Sequence, residues 1–154
     1  MIDTEIGSVV ESIETWDPRN DATHPFTYLD LSSVDQEAKR VDGTKTLDPN
    51  DAPSRARQLT RTGDVLVSTV RPNLNAVAVV PSALDGATVS TGFCVLRPRH
   101  DLADSRYLWH WVRSPVFVGR MTQLATGASY PAVSDKIIKA STIPLPPIRE
   151  QRRI

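Results

Sequence analysis

Gly63-Asp64-Val65-Leu66-Val67-Ser68-Thr69-Val70-Arg71-Pro72 is the stretch on which the reading of this 154-residue chain turns. Gly-Asp is a turn signal, and the run after it is mostly β-branched, the composition of a strand. Pro72 has no N–H to give a sheet ladder, so the strand stops and Arg71 falls at its open end. Working outward, Ala76 to Val80 reads as a second strand. Pro81 to Gly86 is a connecting turn that closes on Asp-Gly. Thr88 to Leu96 reads as a third strand ended by Pro98, and its interruption at Gly92 marks a bulge or a close backbone approach.

Beyond this strand-rich centre the period changes to that of helices. Asp104 or Ser105 caps a helix with Tyr107, Leu108, Trp111 and Val112 on one face. Ser114-Pro115 is an N-cap followed by proline at the first helical position, and that helix runs to about Leu124 with Gly127 as its stop. Ser134 caps a short helix over residues 135–140. Ile143 to Pro147 is extended, and Arg149 to Ile154 reads as the opening of a helix too short to bury anything. Upstream, apolar residues at 6, 9, 10 and 13 have helical spacing over 6–15, Trp16 to Asp21 is a loop, and Phe26 to Leu31 alternates as a strand. Residues 35–54 are polar and aperiodic, and read as a long loop.

Composition narrows the function classes. The longest aliphatic run is Ala76–Val80, far short of the ~20 residues of a membrane helix. The opening residues carry neither a basic nor an apolar leader segment. One cysteine, Cys94, excludes an intramolecular disulfide and a cysteine-based zinc cluster, and a buried core position is expected for it. The expected setting is therefore the cytoplasm, without a membrane. His24, His100 and His110 lack metal-ligand spacing. The charges, 18 basic and 18 acidic, cancel over the whole chain but not along it. Residues 1–54 carry 12 acids against 4 bases, a net of −8, and residues 55–154 carry 14 bases against 6 acids, a net of +8. Such a basic segment suits a polyanion, and 14 of the 18 bases are arginine, whose planar fork fits phosphate and guanine edges.

Four segments carry a resemblance. They are Gly63–Pro72; Ser90-Thr91-Gly92-Phe93-Cys94-Val95-Leu96-Arg97-Pro98; Tyr107-Leu108 through Ser114–Phe117 followed by Ala125–Pro131; and Ile143-Pro144-Leu145-Pro146-Pro147-Ile148-Arg149-Glu150-Gln151-Arg152-Arg153-Ile154. In this order they resemble the DNA specificity subunit of type I restriction–modification enzymes, the last being similar to the junction between a target-recognition domain and a spacer helix. Over residues 1–54 the likeness is confined to Ile6-Gly7 and Phe26–Asp30. The resemblance implies an α/β (α+β) target-recognition domain over 1–142, a small twisted mixed sheet with flanking helices. Residues 143–154 would then be a proline-rich junction and the start of a truncated spacer helix. It also implies a non-catalytic reader of double-stranded DNA that directs a methyltransferase subunit, with a restriction subunit in the full prokaryotic complex. S-adenosylmethionine would sit on the methyltransferase and no cofactor on this chain. The family usually carries two recognition domains and two long helices, so the chain is expected to be one half or a piece of such a subunit.

The candidate DNA-binding residues each have a plainer alternative. Arg71, Asn73 and Asn75 offer forks for guanine and adenine, or form a solvated turn. Thr126, Ser129 and Tyr130 can reach phosphates or base edges, or belong to a helix end. Lys136 and Lys139 lie on a short helix as phosphate contacts or as a solvated face. Arg55 and Arg57, with Arg61 after them, contact phosphates or pair with the acidic first third. Ser68 and Thr91, within the matched strand segments, complete the set. Two competing readings remain: a protein–protein module using the acidic third and the proline-rich tail, and a metal-dependent nuclease built on Asp30, Glu37 and Lys39. No phosphate-binding loop, nucleophile elbow or adenine-methyltransferase segment occurs.

Overall fold

A computed structural model describes residues 2–154. Its strands are β1 (Ile2–Glu5), β2 (Val10–Glu11), β3 (Phe26–Leu29), β4 (Val34–Asp35), β5 (Arg40–Val41), β6 (Lys45–Leu47), β7 (Ala56–Leu59), β8 (Val65–Ser68), β9 (Val77–Val79), β10 (Thr88–Ser90), β11 (Phe93–Pro98) and β12 (Thr142–Leu145). Its helices are α1 (Pro18–Asp21), α2 (Ser105–Val112), α3 (Pro115–Leu124), α4 (Asp135–Ala140) and α5 (Ile148–Gln151). The class is α+β, with the strands shared between two four-stranded sheets, β6-β3-β10-β7 and β2-β11-β8-β9, and two ribbons, β1-β12 and β4-β5. The β3–β10 pair is parallel and the other pairs are antiparallel.

Strand alternation sorts the core into layers. On β8 and β11, Val65, Val67, Cys94 and Leu96 face one way, into a cluster with Leu108, Val112, Phe117, Met121 and Ile138 of α2, α3 and α4. Leu66, Phe93 and Val95 face the other way, meeting Leu29 and Val89 of the first sheet. The far side of that sheet carries Phe26 and Tyr28, packed with Ala52, Ala56 and Trp16. β8 is thus covered on both faces, which explains its unbroken apolar run.

Several expectations change. Residues 6–15 do not form a helix: Ile6–Ser8 is a 3-10 turn, Val10 pairs with Pro98 on β11, and Thr15 bridges Gln58. Ile6, Val9 and Val10 serve the helix-side core while Ile13 packs between the sheets, and one helical face cannot serve both. Trp16–Asp21 contains the one-turn α1, capped by Asp17 with Pro18 at its first position. The stretch 35–54 holds β5, β6 and a 3-10 turn, elements two or three residues long that leave no period to detect. Thr88–Leu96 is not one strand. β10 and β11 belong to different sheets, and Gly92 is the crossing, where a Cβ would come 3.3 Å from the Leu31 side chain.

Gly127 is not the stop of α3, which ends two residues earlier on an extended Ala125; its φ of +102° shapes the next loop instead. The terminal segment does bury a group. Gln151 is 1% exposed. Its amide oxygen accepts from the Asp104 N–H at 2.8 Å, and its nitrogen donates to Leu102 O at 2.9 Å and Pro146 O at 2.8 Å. Gln151 is therefore a bolt between α5, the start of α2 and the residue that follows β12.

Candidate nucleic-acid interface

The end of β8 builds the site. Past Ser68 the chain leaves the ladder, and Thr69 donates from both N–H and hydroxyl to Gly92 O. Thr69 O accepts from Val133 N, Val70 bridges Ala132, and Arg71 N donates to Pro131 O at 2.6 Å. These bonds lay the segment 69–71 against the loop 126–132, which is itself closed by a reciprocal 3.0 Å pair between Thr126 and Ala132. Two stretches separate in sequence thereby form one ridge. On it the Arg71 guanidinium lies 4.6 Å from the centroid of the Tyr130 ring, a ring 68% exposed. Such a cation–π contact restrains the guanidinium while leaving its N–H groups free.

The turn 71–75 is tightly tied. Leu74 N donates to Arg71 O and Asn75 N to Pro72 O. Arg71 and Asn75 have φ of 47° and 53°, left-handed conformations that cost a residue with a Cβ and that concentrate at binding sites. Leu74 is exposed beside Arg71 and Tyr130, and with Leu31 and Gln36 they line a cleft of about 250 Å³.

A second turn joins this end. Thr91 N donates to Arg55 O, and Gly92 O is the acceptor for Thr69. Buried Gln58 donates to Ser90 O and Phe93 O, each at 2.9 Å, and so brackets the turn from below. Thr91 and Arg55 are exposed above it, and Arg55 makes no ion pair among the described residues.

The structure therefore gathers Arg55, Arg71, Asn73, Thr91, Thr126, Ser129 and Tyr130 as exposed groups on linked turns. It places three candidates otherwise. Ser68 is buried and its hydroxyl donates to Val70 O. Asn75 is buried and its amide donates to Val112 O. Arg57 pairs with Asp17 at 2.7 Å. Ser68 and Asn75 do structural work beneath the surface, and half-buried Arg57 is held in an ion pair at it. Lys136 is exposed on α4, just after the strand-like contact of Val133 with Thr69; Lys139 is half-buried, with its backbone against Gly7.

Of the twelve acids in residues 1–54, three are ion-paired among the described residues. Asp17 pairs with Arg57, and Glu14 pairs with Arg61 and Arg97. Arg97 also holds Asp64 through two parallel 3.0 Å bonds. The Arg97 bond holds the Glu14 carboxyl below its ordinary range. The Asp30, Glu37 and Lys39 trio is not assembled: Asp30 is tied to Lys45, Lys39 reaches Asn75 O, and Glu37 points to solvent. Gln58 and the Arg71–Tyr130 stack were not legible in the sequence, since neither is marked by spacing.

A family model for the type I restriction modification DNA specificity domain matches residues 59–154. The crystal structure of the HsdS subunit from Thermoanaerobacter tengcongensis superposes with a TM-score of 0.91 at 39% identity, covering 99% of this chain and 39% of that one. A second chain, from a structure described as the basis of complex assembly and conformational transition of the type I R-M system, superposes with a TM-score of 0.92 at 39% identity and the same coverage. This chain thus spans about two-fifths of the length of those relatives. No curated protein matches it.

Proposed function

The chain belongs to the type I restriction–modification DNA specificity family, and on that premise we propose that it is a non-catalytic reader of one short duplex DNA half-site. The observation that carries this reading is the ridge made of the 69–75 and 126–132 segments, with the Arg71 guanidinium over the Tyr130 ring. An arginine so held meets a guanine edge with little entropy left to lose, and the neighbouring Asn73, Thr91, Thr126 and Ser129 extend the contact to bases and phosphates. Arg55 and Lys136 flank the ridge as phosphate contacts. The methyltransferase subunit, carrying S-adenosylmethionine, is the catalytic partner, and the restriction subunit joins the full complex in a prokaryotic cytoplasm. No helix among the described residues is long and apolar enough to cross a membrane. Residues 143–154 serve as the junction to a spacer helix. Glu14, Asp17 and Asp30 are occupied by the chain's own bases, which trims but does not remove the acidic face a protein–protein module would use.

The test is Arg71→Ala, read in the presence of the methyltransferase subunit. Loss of one bidentate base contact removes about 1–3 kcal/mol of discrimination, so the preference for the selected duplex over a scrambled one falls roughly 5- to 160-fold. An unchanged preference refutes the placement of Arg71 at a base edge.

A further inference from the structure

Away from the reading ridge, a second cationic surface runs along the free edge of β9. Lys39 and Arg40 on the β4-β5 ribbon, and Arg106 and Trp109 on α2, line a cavity of about 520 Å³ beside Val79. Arg113 lies 4.4 Å over the Trp109 ring, and the Trp109 indole donates to Lys39 O at 3.0 Å. Asp104, also on the cavity wall, has its carboxylate engaged by the Arg106 and Tyr107 amides. Asp35 faces Arg40 across the ribbon. Among the described residues none of Lys39, Arg40, Arg106 or Arg113 makes an ion pair, whereas Arg57, Arg61 and Arg97 are all paired. Like charges are crowded here: burial, and then Arg113, push the Lys39 ammonium below the ordinary lysine range. Cations left crowded and unpaired indicate an anionic counterpart from outside the chain.

The position says which one. Lys39 Nζ donates to Asn75 O at 2.8 Å, and Asn75 closes the turn that begins with Arg71. The strip therefore starts where the reading turn ends and follows the extended chain toward Val79. Four residues of strand span about 13 Å. That is the axial length of about four phosphates along one DNA strand, at ~3.4 Å each. We propose that Lys39, Arg40, Arg106 and Arg113 form a phosphate-tracking strip that holds the backbone of the same duplex whose bases meet the Arg71 ridge. This inference rests on the DNA reading given above. The strip carries no sequence information; it sets the register and the salt dependence of binding.

The experiment compares wild type with the double variant Arg106→Gln/Arg113→Gln, each assembled with the methyltransferase subunit, on selected and scrambled duplexes over a range of salt. Both side chains are exposed, and equal thermal midpoints establish an intact fold. The expected result is an affinity about 100-fold lower for both duplexes alike, with the log–log salt slope shallower by about two, since each phosphate contact contributes ~0.9. Unchanged affinity and slope, with wild type binding the selected duplex, overturn the strip and leave the DNA reading standing. Unchanged DNA binding with loss of the methyltransferase subunit makes the surface a protein-docking face and equally overturns the strip. A wild type that binds neither duplex overturns the DNA reading itself.

Discussion

Arg97→Met is the sharpest test of how this domain is held. Arg97 and Asp64 meet one rung beyond the Leu96–Val65 pair of β11 and β8, with side chains 7% and 1% exposed. The contact is bidentate, at 3.0 Å for both bonds, and Asp64 also accepts from Arg61 N. Methionine fills most of the arginine volume but leaves the Asp64 carboxylate buried with a single amide donor. Breaking a buried pair from one side costs about 3–5 kcal/mol, a large part of the ~5–15 kcal/mol that keeps a domain folded. For a chain near this size each kcal/mol moves the midpoint by roughly 2–4 °C, so the variant melts about 6–20 °C below wild type. Adding Asp64→Asn removes the stranded charge while Asn keeps an acceptor for Arg61 N. The double variant is expected to regain at least half of the loss. Thermal unfolding followed by circular dichroism reads both. A shift under ~2 °C for Arg97→Met, or simple additivity in the double variant, refutes the reasoning.

Three further outcomes follow from named contacts. Gln151→Leu strands the Asp104 amide and the Leu102 and Pro146 carbonyls, each costing about 1–3 kcal/mol if it stays buried, so α5 undocks. Hydrogen exchange then quickens at Asp104 but not at Leu66 in the sheet core; unchanged exchange at Asp104 refutes the bolt. Cys94 is fully buried and burial pushes its thiol far above the ordinary range, so a thiol reagent labels it only after denaturation; rapid labelling of the native chain contradicts its placement. Glu14, Asp35 and Asp85 are held below ordinary carboxylate values, by Arg97, by the Ala38 amide and by the Thr62 amide respectively. Their stabilisation is present above about pH 4–5 and is lost as pH falls through the lowered values. The carboxylate contribution therefore makes the melting midpoint drop below about pH 4, and a midpoint rising toward pH 3 would contradict it.

Where local chemistry and tertiary packing agree, the elements were legible. β8, β9 and the three capped helices α2, α3 and α4 carry their own signals: β-branched runs, Asp104, Ser114-Pro115 and Ser134. Where tertiary contacts decide, they were not. Ile6 to Ile13 has helical spacing because its residues serve two different cores. Gly92 read as an irregularity within a strand, and it is the point at which the chain changes sheets. Of the site, the two loops were visible but not their union, since the bonds from Arg71 to Pro131 and from Thr69 to Val133 join residues some 60 positions apart in sequence. Asn75 shows the limit of residue chemistry: its amide fork suits adenine, but the fork is buried inside the domain, where its nitrogen donates to Val112 O and its oxygen has no partner among the described residues. The opposed charges of the two segments are in small part paired internally, Asp17 with Arg57 and Glu14 with Arg61 and Arg97, while Asp64 of the basic segment supplies the other partner of Arg97. Arg55, Arg71, Arg106 and Arg113 are left unpaired among the described residues.

Arg55, Arg106 and Arg113 thus hold the backbone of a duplex whose bases the Arg71–Tyr130 ridge reads. The most direct test is selection from a randomised duplex pool by the chain assembled with the methyltransferase subunit, followed by salt titration of the winning sequence. One half-site motif is expected to be enriched and to be lost with Arg71→Ala, with an affinity that falls steeply as salt rises. An unenriched pool, or equal affinity for winning and scrambled duplexes, contradicts the DNA reading.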